Sequence, residues 1–104
     1  MTSKSDAASA ITHIRMAYPK LSDADAVAFL CVCAEDGLSL KALSQRLGAG
    51  QSTATRHVSA LESCISPDAG LVRMSRLEEG AVRRTVRLTP EGRDVRESLK
   101  VESP

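Results

Sequence analysis

Aromatic residues are almost missing from this 104-residue chain, which has one tyrosine (Tyr18), one phenylalanine (Phe29) and no tryptophan. A surface that stacks the bases of single-stranded nucleic acid needs several aromatic platforms, so that class of partner is disfavoured. Cysteine is scarce and odd in number (Cys31, Cys33 and Cys64), with no CxxC or paired Cys/His spacing. Neither a disulfide framework nor a structural zinc site is expected from such a set. No apolar run approaches the roughly 20 residues that a membrane span requires. The opening MTSKSDAASA lacks the basic-then-apolar layout of a secretory signal. A cytoplasmic protein with no membrane partner is the expectation. Also lacking are a His/Asp/Glu cluster, a phosphate-cradling glycine loop and a nucleophile signature, so neither catalysis nor a cofactor is expected.

Net charge is nearly absent as well, at +1, but its distribution is uneven. Residues 1–40 balance to −2 and residues 88–104 to −1. Residues 41–87 hold eight basic side chains (Lys41, Arg46, Arg56, Arg73, Arg76, Arg83, Arg84, Arg87) against four acidic ones, a balance of +4. One contiguous basic block is the footprint expected of a phosphate-binding surface. A strand pair whose arginines only solvate it would look similar, so charge alone does not decide. The rest of the composition, 42% hydrophobic and 26% charged, is that of one ordinary globular domain.

Apolar periodicity divides the chain. Ala7, Ile11, Ile14 and Tyr18 recur at helical spacing between about residues 6 and 18, and Pro19 ends the run. Ser22 with Asp25 forms a capping-box pattern for a mostly apolar helix reaching about Glu35, where Gly37 stops it. Ser39 caps a short helix with Leu40, Leu43 and Leu47 inside, and Gly48-Ala49-Gly50 is a tight turn. The next helix, from Gln51 to about Ser63, has Ala54, Val58 and Leu61 facing inward. After a loop through Gly70 the period changes to two. Leu71–Leu77 and Val82–Leu88 form a hairpin around Glu78-Glu79-Gly80-Ala81. Thr89-Pro90 then starts a last helix that runs to about Lys100, anchored by Val95 and Leu99.

Two short helices joined by a glycine-containing turn let the second helix project into a major groove. Its outward residues Gln51, Ser52, Thr53, Thr55 and Arg56 suit base edges and phosphate oxygens. Arg76, Arg83 and Arg84 of the hairpin are placed to flank the same duplex. His57 borders the inward face and is expected to pack or to meet a phosphate, not to bind metal. Cys31 and Cys33 are expected as small buried hydrophobes, with Cys64, in the loop, the more accessible thiol. Ile11, Ile14 and Tyr18 suit either the core or, preferably, a dimer seam.

The stretch LSLKALSQRLGAGQSTATRHVSALE resembles the helix-turn-helix of MarR-type winged-helix regulators, and AGLVRMSRLEEGAVRRTVRLTPEGR resembles their wing. The resemblance spans about residues 38–93 and implies a mainly α fold with a small antiparallel β-wing. The implied order is helix, helix, short strand, helix, helix, strand, strand, helix. Within a single domain, residues 1–20 form the N-terminal helix and possible seam, 38–89 the helix-turn-helix and wing, and 90–101 the C-terminal helix. It further implies a homodimer that binds double-stranded DNA at a pseudo-palindromic operator and usually represses transcription. Residues 51–56 would then read the major groove. A small-molecule effector is left open. Two other readings stand beside this one: a winged-helix protein-interaction module, and a phage or plasmid accessory factor in replication, partition or transfer.

Overall fold

A computed structural model describes residues 4–75 and 84–99, the side chains of residues 4–7 aside. The elements are α1 (Lys4–Ala17), α2 (Asp23–Ala34), β1 (Leu38–Ser39), α3 (Leu40–Leu47), α4 (Gln51–Glu62), β2 (Val72–Met74), β3 (Thr85–Leu88) and α5 (Pro90–Leu99). This is the expected order, mainly helical with a small antiparallel sheet. Arg76, Leu77, Val82, Arg83 and the turn between them lie outside the described residues, as does Lys100.

Local chemistry sets most of the boundaries. The Ser22 hydroxyl accepts from the Asp25 N–H at 3.1 Å, while the Asp25 carboxylate accepts from the Ser22 N–H at 2.9 Å. That reciprocal pair satisfies donors the first turn of α2 would otherwise leave bare. Ser39 caps α3 through Ala42 N–H at 3.0 Å. At the other end Gly48 takes the left-handed conformation (φ 65°, ψ 33°) that closes the helix, and the Ala49 N–H reaches back to the Ser44 carbonyl. Gly50 needs no such freedom, since its φ is −73°. Only the first glycine of the turn is demanded by backbone conformation.

The sheet has the order β1-β3-β2, with Leu38 opposite Val86 and Val72 opposite Leu88. Leu71 precedes β2 instead of belonging to it. Its N–H donates to the Leu61 carbonyl and its own carbonyl accepts from Thr89, tying the sheet to the ends of α4 and α5. One core joins all these elements: Ile14, Phe29, Val32, Leu43, Ala54, Val58, Leu61, Leu71 and Val86 are fully enclosed. Val95 and Leu99 pack against it, as expected. Ile14 is therefore part of this chain's own core, because α1 lies on α2, while Ile11 and Tyr18 are half-buried beside it.

Two expectations about cysteine are revised. Cys31 and Cys33 are half-buried, not enclosed. Cys64 is no more open than they are, with its thiol 3.4 Å from the Leu61 carbonyl, to which it donates. Burial pushes the thiols of Cys31 and Cys64 above their ordinary range, the opposite of an activated thiolate.

Candidate nucleic-acid interface

The inward stripe of α4, namely Ala54, Val58 and Leu61, has no exposure at all. This fixes which side of the helix faces outward. Ser52, Arg56, Ser59 and Ser63 are all exposed and follow one another at the spacing of a single helical stripe, with exposed Gln51 and Thr53 beside its start. No acidic residue stands in the first turn, and Gly50 offers no side-chain acceptor to the N–H groups there. Those donors and the positive end of the helix dipole suit a phosphate oxygen.

Of the residues singled out from sequence, Gln51, Ser52, Thr53 and Arg56 are thus gathered on one exposed surface. Thr55 differs. It is half-buried, and its hydroxyl donates to the Gln51 carbonyl at 2.8 Å, so its proton is turned onto its own helix. Arg84 is half-buried just before β3, where its carbonyl receives the Leu40 N–H that opens α3. Arg76 and Arg83 lie outside the described residues.

Three features escaped sequence reasoning. The first is the partner of His57: its Nδ1 lies 2.7 Å from Oδ1 of Asp25, the same carboxylate whose other oxygen holds the N-cap of α2. The second is Glu62, whose Oε2 accepts from the Met74 N–H at 3.0 Å and so binds the far end of α4 to β2. Glu62 is the only acidic residue on α4 and stands at its last position, where the helix dipole disfavours a negative charge. That misplacement was the available signal. The third is the exposed Arg73–Arg87 pair, directly opposite each other across β2 and β3. The bonds at Leu71–Thr89 and Ser75–Thr85 place the arginines at a hydrogen-bonded position, so their Cα atoms stand about 5.5 Å apart. Neither has an ion-pair partner among the described residues. They border an open groove of about 810 Å3 that Ser59, Glu62 and Ser63 line from α4.

No family model matches the chain, and no curated protein matches it in sequence. Solved structures do. It is similar to the PcaV transcriptional regulator of Streptomyces coelicolor, solved with its natural ligand, at 31% identity over 71% of this chain and 49% of that one, with a TM-score of 0.53. It is also similar to a MarR-family transcriptional regulator of Silicibacter pomeroyi, at 28% identity over 89% of this chain and 58% of that one, TM-score 0.62. The backbone of MepR from S. aureus, solved in complex with DNA, superposes with a TM-score of 0.65 over 93% of this chain and 72% of that one, at 15% identity. The chain spans about half the length of the first two relatives. With its helix-turn-helix, its three-stranded sheet and these neighbours taken together, the chain has the winged-helix fold of the MarR regulators.

Proposed function

We propose that this chain binds double-stranded DNA through α4 and acts as a transcriptional regulator, specifically a repressor that works as a homodimer on a pseudo-palindromic operator. The observation that carries this reading is the exposed face of α4. It is the second helix of a helix-turn-helix, and its outward stripe offers an amide, hydroxyls and one arginine with no opposing carboxylate. The regulators it resembles at 31% and 28% identity support the same class. Gln51, Ser52, Thr53 and Arg56 are the base- and phosphate-facing residues, and Thr55 supports them through its bond to the Gln51 carbonyl. Arg84, with Arg76 and Arg83, supplies phosphate contacts from the wing. The exposed large hydrophobic side chains among the described residues are Met16, Val27 and Ile65, none of them on α4 or the sheet. A protein-docking role for the recognition surface would call for apolar anchors there. Met16 leaves the outer flank of α1 available to a second copy.

Selection from a library of random-sequence duplexes tests the reading. The chain is expected to enrich one sequence, and binding to it should weaken steeply with salt. Arg56→Ala should cost about 1–3 kcal/mol on that sequence if the guanidinium reads a base. Failure to enrich any sequence, with no salt-sensitive retention of DNA, would refute the proposal.

A further inference from the structure

A recognition helix has to be fixed in rotation about its own axis as well as in place. The apolar stripe of α4 holds it to the body, but contacts among Ala54, Val58 and Leu61 are non-directional and tolerate small turns about the axis. Directional bonds do not. Among the described residues, two bonds from α4 side chains reach other elements, and they leave from opposite flanks of the inward face. His57 and Glu62 are five residues apart, which on a helix is about 140° of rotation. Glu62 reaches the sheet at Met74, and His57 reaches the helical body at Asp25.

The Asp25 end is rigid. Asp25 is 7% exposed, its backbone N–H is held by the Ser22 hydroxyl, and its Oδ2 accepts from the Ser22 N–H. Only Oδ1 is left for α4, and it points at His57 Nδ1 across 2.7 Å. With Asp25 as a carboxylate, Nδ1 carries the proton, and Nε2 has no partner among the described residues. Moving His57 would leave a buried carboxylate oxygen without its donor, a costly outcome. Arg56 precedes His57 in the chain and Thr53 stands one turn before it, so the same bond sets the angle at which these two face outward.

We propose that Asp25 and His57 are positioning residues that set the register of the recognition helix, so that sequence discrimination depends on them while general DNA affinity does not. This rests on the DNA-binding reading above. Base-edge contacts require side chains held to within about 0.5 Å and 10–20°. Phosphate attraction, which dominates non-specific binding, has no such requirement.

The test compares the duplex enriched by the wild-type chain with a scrambled duplex of the same composition, using full-length variants. His57→Leu is expected to lose roughly tenfold on the enriched duplex and less than about twofold on the scrambled one, with its salt slope unchanged. His57→Asn places an amide nitrogen where Nδ1 stands and should recover most of the discrimination. His57→Gln, whose nitrogen takes the place of Nε2, should not. Equal losses on both duplexes, or recovery by His57→Gln alone, would overturn the assignment, the latter by making Nε2 a direct DNA contact. Should His57→Leu fail to fold, the contrast between the two amides decides by itself. A wild-type chain that selects no sequence overturns the DNA reading and this inference together. One that selects a sequence while its variants discriminate equally well overturns this inference alone.

Discussion

Gly92 shows how one residue type follows from one close approach. It sits in the first turn of α5, and a Cβ built on it would fall 2.0 Å from the Leu71 carbonyl oxygen. That oxygen is backbone, and it already receives the Thr89 N–H, so it has little room to retreat. Gly92→Ala should therefore destabilise the fold by about 1–3 kcal/mol, although alanine favours helices elsewhere. Urea unfolding would show it, and an unchanged midpoint would mean that α5 can slide outward. Nothing near Gly92 in the sequence signals this constraint, because it comes from Leu71, a segment that is distant along the chain. His57 was opaque for the same reason. Periodicity placed it beside the inward face, but the neighbour facing it, Asp25, is 32 residues away.

At the scale of elements, what could be read was whatever closes within three or four residues. Ser22 with Asp25, Ser39, and Thr89-Pro90 all start helices where expected, because a capping bond is local. The second use of a capping residue was not legible. The Thr89 hydroxyl accepts from the Gly92 N–H at 3.0 Å and also donates to the Gly70 carbonyl at 2.7 Å, joining α5 to the loop before β2. Thr89→Val keeps the shape and removes both bonds, leaving the carbonyl of buried Gly70 without that donor. We expect a loss of about 2 kcal/mol in chemical denaturation, more than a surface cap alone would cost. A loss below about 0.5 kcal/mol would show that water replaces the hydroxyl at Gly70. On α4 the inward stripe was legible and the outward one followed from it, yet Thr55 shows that an outward-tending hydroxyl can still bond its own backbone.

For the molecule as a whole, alkaline pH works against three groups packed at the margin of the core. Burial raises the pKa of Tyr18, Cys31 and Cys64, with negative neighbours adding to the effect at Tyr18 and Cys64. A folded pKa above the unfolded one means that the unfolded chain gives up its proton first. The stability these groups contribute is intact below the unfolded values and is lost as pH climbs through the folded ones. Unfolding midpoints are expected to fall as pH rises past the ordinary thiol value of about 8.5 and on past the tyrosine value of about 10, and Cys31→Ala with Cys64→Ala should flatten that fall. A midpoint constant across that range would contradict the burial of the thiols. The overall order of elements was readable because each segment carried its own period, whereas the joints between segments had to be seen. One joint has a bearing on solubility. β2 lies at the edge of the sheet, and its ladder with β3 leaves the Met74 N–H turned away from the sheet, where Glu62 takes it. A strand from another molecule that tried to extend the sheet there would find this donor already engaged and a carboxylate in its path. The bond that anchors the end of α4 thereby also hinders the pairing of a foreign strand at this point of the edge.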